Sequence, residues 1–202
     1  MTADLFESLF KDTKIVAYAR FNKARRLSKR TWWSLFSIST LSIVLILLTI
    51  FEQTNSVRTV HPFFIPGISI KNWIFTVVTS LITLVLSISL AAARLDVEVE
   101  KLNDSAIRIN KISREIEAHK SRSSYNDYLR LVKDYNDVIL DNRVNHDTVD
   151  FIIAKCSLNK NKDCHYYFNK YVFQHMQLIH YYLITAISLS AAISILSNVI
   201  DK

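Results

Sequence analysis

Glycine occurs once in these 202 residues (Gly67) and proline twice (Pro62, Pro66). Strand turns lean on Gly, Pro or Asn-Gly signals, and outside residues 62–67 the chain has neither Gly nor Pro, so a β fold is excluded and an almost wholly helical chain is expected. A single glycine also excludes a glycine-rich nucleotide loop. No GxSxG elbow, HExxH helix or carboxylate pair placed for acid–base work is present, so neither an enzyme nor a cofactor is expected. Cysteine is nearly as scarce. Cys156 and Cys164, the latter followed by His165, fall short of four zinc ligands and lack a CxxC pair. A structural disulfide is not expected in a reducing cytoplasm. His61, His119, His175 and His180 are scattered.

The most informative absence is charge. Trp32–Phe51 has twenty residues and Trp73–Ala93 twenty-one, and neither contains a charged side chain. At about 1.5 Å of rise per residue each reaches about 30 Å, the thickness of a hydrocarbon core. Lipid offers peptide groups no hydrogen bonds, so such runs must be helical. Leu178–Ile200 is a third uncharged run if His180 is neutral. The fold class expected is an all-α membrane protein: a transmembrane helical hairpin, cytoplasmic antiparallel and coiled-coil-like helices, and a third, C-terminal transmembrane helix.

What is present sets the orientation. Lys11–Arg30 carries eight basic residues against one acid, Asp12, whereas the loop between the first two runs holds only Arg58 and Lys71. By the positive-inside rule the N-terminus is cytoplasmic, the loop lies outside, and parity leaves the tail Asp201-Lys202 outside. A basic segment ending where a span begins fits anionic headgroups, at about 1 kcal/mol per charge, better than nucleic acid. Arg25, Arg26, Lys29 and Arg30 are therefore expected to anchor on lipid phosphate, with no direct nucleic-acid binding. A cleaved signal peptide is not expected, because the basic region is too long and no small-x-small site follows the first run.

Four segments follow: a basic amphipathic arm (1–31), the hairpin (32–94), a cytoplasmic helical region (95–176) and the last span with its tail (177–202). In the arm, Leu5, Phe6, Leu9 and Phe10 suggest a short helix at the membrane interface. In the loop, the prolines flank Phe63 and Phe64 in what reads as a capped turn. Leu95, Val99, Leu102, Ala106, Ile109 and Ile116 form a coiled-coil-like seam, broken only by Ser113, on a helix continuing inward from the second span. Ser121–Ser124 interrupts it, with Ser124 and Asp127 placed as N-cap and first-turn acid of a second, antiparallel helix. Arg143–His146 reads as a turn, Asp147 as the cap of a helix over Thr148–Lys155, and Asn159–Asp163 as a polar loop.

Two constellations are candidate sites. Thr76, Ser80, Thr83 and Ser87 share one helical face in the second span, and Ser190, Ser194 and Asn198 lie four apart in the third. Such faces serve helix packing within one subunit, contact between copies, or a polar pore lining. Tyr135, Asn145, His146 and Asp150 mark the cytoplasmic region, where a turn with helix caps competes with a ligand site.

Three stretches together resemble the SLATT family, two-transmembrane effector domains associated with bacterial nucleotide-signalling conflict systems. They are Ala19–Arg30 running into a span, the paired spans followed by a long helix, and Tyr135-Asn-Asp-Val-Ile-Leu-Asp-Asn-Arg-Val-Asn-His146 continuing to Asp150. The match covers about residues 15–155. The resemblance implies a pore-forming or membrane-disrupting, anti-phage effector of the bacterial inner membrane, which permeabilises it as a homo-oligomer on activation. It also implies a regulatory partner, either a nucleotide-signalling system or a reverse transcriptase, since one branch sits beside reverse transcriptases. On this reading Tyr135, Asn145, His146 and Asp150 hold or regulate the cytoplasmic bundle. The third span departs from a two-span pattern. The alternative is a non-conducting scaffold that recruits a soluble partner through the Leu95–Lys120 seam.

Overall fold

A computed structural model describes residues 2–53, 59–60, 69–119, 124–142, 145–160 and 163–200, without the side chains of 2–3 and 198–200. The loop residues 61–67, the break at Ser121–Ser123, Arg143, Val144 and the Asn198 side chain lie outside the described residues. The elements in order are α1 (Thr2–Gln53), β1 (Thr59–Val60), β2 (Ile70–Lys71), α2 (Asn72–Ala93), α3 (Leu95–His119), α4 (Tyr125–Asp141), α5 (Thr148–Leu158), α6 (Cys164–Tyr167), a π-helical turn (Phe168–Phe173), α7 (Gln174–Met176) and α8 (Ile179–Ile200). Three helices are long and apolar enough to cross a membrane, and the protein is all-α apart from the two short strands. These pair antiparallel, Thr59 opposite Lys71 and Val60 opposite Ile70. The chain divides into two compact units, Met1–Lys29 with Leu95–His175, and Arg30–Arg94 with Met176–Lys202.

In the first unit the N-terminal part of α1 is a core element, not a separate interfacial helix. Phe6, Leu9, Thr13, Ala17, Arg20, Ala24 and Leu27 are all buried, and their spacing of three and four draws one stripe along the helix. Phe6, Leu9 and Ala17 join Ile109, Ile112 and Ile116 of α3 and Leu131 and Val138 of α4 in one cluster. Ala24 and Leu27 pack with Leu102, Leu95 and Val99. No helix breaker interrupts this stretch, and burying the stripe outweighs laying it on a membrane surface.

Leu102 and Ile109 are fully buried in the same unit, so the α3 seam is occupied intramolecularly. Charging either residue would break this core before it disturbed a partner, which removes the seam as a recruitment surface. Helix α4 begins at a capping box: Ser124 Oγ accepts from the Asp127 amide, and Asp127 accepts from the Ser124 amide. It returns antiparallel along α3. At its far end the Asn142 carboxamide donates to the Lys101 carbonyl, and Arg108 pairs with Asp141 at 2.9 Å. Arg94 takes the left-handed conformation (φ 44°, ψ 41°) between α2 and α3, so the helix expected to run on from the second span stops and restarts.

In the second unit, residues 30–53 of α1 and α8 run in the same direction. Near their N-terminal ends Trp33 meets Tyr182 edge-on at 4.6 Å, and the Ser37 hydroxyl reaches the Tyr181 carbonyl (3.2 Å) and the Thr185 hydroxyl (3.0 Å). Further along, Val44 and Leu48 share a cluster with Ala191, Ile195, Val60 and Phe75. Small residues let the two backbones approach, and the hydroxyls bond across the contact. Of α2, only Asn72, Phe75 and Thr79 are buried.

Candidate functional site

The polar centre of the first unit forms where α1 meets the turn into α5. Lys23 and Arg26 lie on α1 one turn from each other and face acids supplied by two other elements. Lys23 Nζ donates to the Asn145 carbonyl (2.8 Å) and pairs with Glu98 of α3 (3.0 Å) and Asp147 (3.4 Å). Arg26 takes Asp150 in a fork, Nη2 to Oδ2 at 2.8 Å and Nε to Oδ1 at 3.4 Å, and also pairs with Asp147. Asp150 is 0% exposed and the Arg26 side chain 11%.

Burial pushes the Asp150 carboxyl up, only partly opposed by Arg26. Burial acts on Asp147 in the same sense, but Arg26 and Lys23 outweigh it and hold that carboxyl below its ordinary value. Burial likewise opposes the Arg26 charge, and there Asp150 and Asp147 prevail and raise its pKa.

This geometry changes two expectations. Asp147 stands at the N-cap of α5 but makes no side-chain cap hydrogen bond, because its carboxylate is turned to the two cations. Arg26, expected on lipid phosphate, is instead spent on Asp150 and Asp147, since leaving a buried carboxylate unpaired would cost far more than a headgroup contact returns. Arg25, Lys29 and Arg30 are exposed. Arg25 and Lys29 border a cavity of about 160 Å³ with Lys170 and His175.

A larger cavity of about 480 Å³ is lined by Arg20, Tyr135, Asn136, Asn142, Asn145 and His146 among others. His146 stacks on Phe151 at 5.4 Å, and its amide donates to the Asn145 side chain at 2.9 Å. Burial and the nearby Arg20 charge push the His146 imidazole below its ordinary value. Burial raises the Tyr135 hydroxyl, with Arg20 pulling against it. Among the described residues, no group of three or more His, Cys, Asp or Glu is placed to hold a metal ion.

In the second unit the two hydroxyl faces fare differently. Ser190 and Ser194 of α8 are buried inside the unit, as are Thr185 and Ser188. On α2, Ser80 donates to the Thr76 carbonyl (2.7 Å), Thr83 to Thr79 (2.8 Å) and Ser87 to Thr83 (2.7 Å), and Ser80 and Ser87 are exposed. These three hydroxyls are thus satisfied on their own helix and the face is open at Ser80 and Ser87, whereas the Thr76 hydroxyl is buried without a partner among the described residues.

A family model for the SMODS and SLOG-associating 2TM effector domain family 5 matches residues 3–196. The chain belongs to this family. No curated protein and no solved structure matches it. Membership makes it a membrane effector domain, and the matched stretch is wider than the resemblance legible around residues 15–155. It runs into α8 as far as residue 196, so the match takes in most of the third apolar helix.

Reading the sequence of this family-5 domain residue by residue missed Arg20, Lys23, Glu98, Thr185 and Ser188. The first two had a usable signal, their place on the face of α1 that also carries Ala17, Ala24 and Leu27. Glu98 had none, because nothing local distinguishes it from other surface acids of α3.

Proposed function

We propose that this chain is a pore-forming effector of a bacterial conflict or anti-phage system, assembling as a homo-oligomer in the inner membrane and permeabilising it on activation. The observation that carries this reading is the α2 face open at Ser80 and Ser87, with Thr76 and Thr83 half-buried on the same stripe. A polar stripe in lipid seeks other small polar faces, and the chemistry it matches best is its own copy on another subunit. Several α2 helices brought together would line a conduit with hydroxyls, while α8, with Ser188, Ser190 and Ser194 buried inside the unit, would brace each subunit. Exposed Arg25, Lys29 and Arg30 would hold lipid phosphate on the cytoplasmic side, leaving the C-terminus outside. The Lys23–Arg26–Asp147–Asp150 centre would hold the cytoplasmic bundle closed until a regulatory partner or signal acts on it.

The test is dye release from anionic vesicles containing purified protein, beside growth after induction. Ser80→Leu combined with Thr83→Leu is expected to cut leakage toward that of protein-free vesicles and to relieve growth arrest. Both positions can take leucine without disturbing a buried core. Equal leakage and equal toxicity would reject the α2 face as the conduit.

A further inference from the structure

The segment from Cys164 to Met176 buries one face and leaves the other bare. Tyr166 and Asn169 are buried, and the segment packs against α5. Tyr167, Phe168, Tyr171, Val172 and Met176 are each between 46% and 59% exposed. Their spacing sets them on one side, and the Tyr167 and Tyr171 rings stack at 6.2 Å. Single exposed apolar residues are ordinary, whereas five on one side of a short segment mark a surface that something covers. Chain connectivity identifies the occupant. Met176 lies three residues before Ile179, where an apolar helix long enough to cross a bilayer begins, so at most about 11 Å of chain separates them. Tyrosine, apolar in body and polar at its tip, suits the headgroup layer at that depth.

A second, independent observation lies beside it. Tyr171 also borders the cavity of about 160 Å³, together with Arg25, Lys29, Lys170 and His175. Arg26 borders it too but is held by Asp147 and Asp150, and no acid is among the lining residues. Arg25 and Lys29 are exposed, and neither makes an ion pair among the described residues. Lys170 Nζ donates to Tyr166 Oη at 3.1 Å and lies 5.2 Å from the centre of the Tyr171 ring, with donors to spare. Like charges around an acid-free cavity repel one another unless an anion joins them. The cavity is smaller than sites that enclose a whole small molecule and suits a single phosphate group. Lys29 stands three residues before Trp32 on the same helix, so this wall too adjoins an uncharged run.

We infer that this cavity holds the headgroup phosphate of an anionic phospholipid, between Arg25 and Lys29 of α1 and Lys170 of the π-helical turn, while the exposed face from Tyr167 to Met176 lies against the rest of the lipid. The site is a defined one, distinct from the diffuse attraction of a basic arm, and the bound lipid ties α1 to the segment entering α8. It rests on the lipid-phosphate reading of Arg25 and Lys29 above, adds Lys170 and the aromatic face to it, and needs no conduction.

The experiment is native mass spectrometry of the full-length protein from detergent micelles holding equal amounts of phosphatidylglycerol and phosphatidylcholine. Both lipids carry a phosphate, but only the first is anionic overall. The wild type should retain phosphatidylglycerol over phosphatidylcholine by at least about tenfold, since each basic side chain at an anionic headgroup is worth about fivefold. Lys170→Gln should cut that preference by about fivefold, and Lys170→Arg should keep it. Arg25→Gln with Lys29→Gln should abolish it. Lys111→Gln with Arg114→Gln, which removes the same charge from exposed positions on α3, should leave it unchanged. Phe168→Ser with Val172→Ser, both at exposed positions, should lower retention of phosphatidylglycerol by at least about threefold, and this pair serves if Lys170→Gln does not fold. Glycerol 3-phosphate in large excess should not displace the lipid; displacement would mean a free phosphate ligand and overturn the lipid assignment. Equal losses in the Arg25/Lys29 and Lys111/Arg114 pairs would mean diffuse attraction only and overturn it as well. Full loss with the Arg25/Lys29 pair but none with Lys170→Gln would overturn the cavity while leaving the arm its hold on headgroups. If the Phe168/Val172 pair dissociates an oligomer without changing lipid retention, the face belongs to a second copy and the lipid site is overturned.

Discussion

Arg26→Met should destabilise the first unit by about 3–5 kcal/mol, the usual cost of stranding a buried charge. The size follows from Asp150, which is fully buried and takes its fork from Arg26. With the guanidinium gone, that carboxylate must stay ionised without a counter-charge or take up a proton, and either carries a free-energy cost. Pulse proteolysis across a urea series, on protein held in detergent, reads the change directly. Adding Asp150→Leu to Arg26→Met should recover a large part of the loss, since the stranded charge then disappears as well. A lipid-anchoring role for Arg26 predicts the opposite pattern: unchanged protease resistance, weaker association with anionic vesicles, and no rescue by the second substitution.

Phe6→Ala should cost about 3–5 kcal/mol in the same assay, as truncations of buried aromatics do. Phe6 is 0% exposed, lies edge-on to Tyr128 at 5.6 Å, and shares a cluster with Ile109, Ile116 and Leu131. Tyr18, on the same helix but exposed, is the control, and Tyr18→Ala should change stability by less than about 0.5 kcal/mol. Were residues 1–21 an interfacial helix, Phe6→Ala would weaken vesicle binding and leave the urea midpoint where it was.

What the sequence discloses and what it hides divide along physical lines. The spans are legible because lipid permits little else of an uncharged run of twenty residues. The α3 stripe and the Ser124 cap are legible because each is a local pattern of strong residues. The α1 stripe is hidden by its own composition, since Thr13, Ala17, Arg20 and Ala24 carry little hydrophobic signal, and burial there depends on what α3 and α4 bring to it. The Arg26–Asp150 pair joins positions 124 residues apart, so no spacing rule reaches it. Asp147 shows the limit of a local rule: it has the right type and place for a cap, yet two cations from α1 outbid the helix amides. Among the hydroxyls, spacing places Ser190 and Ser194 on one stripe, but only packing distinguishes that covered stripe from the open one on α2.

Current through a planar lipid bilayer tests the pore directly. With purified wild-type protein under voltage clamp we expect discrete conductance steps, and with Ser80→Leu/Thr83→Leu at the same density we expect them to vanish. A silent bilayer at every protein density tried, or identical steps from the two proteins, would contradict the account.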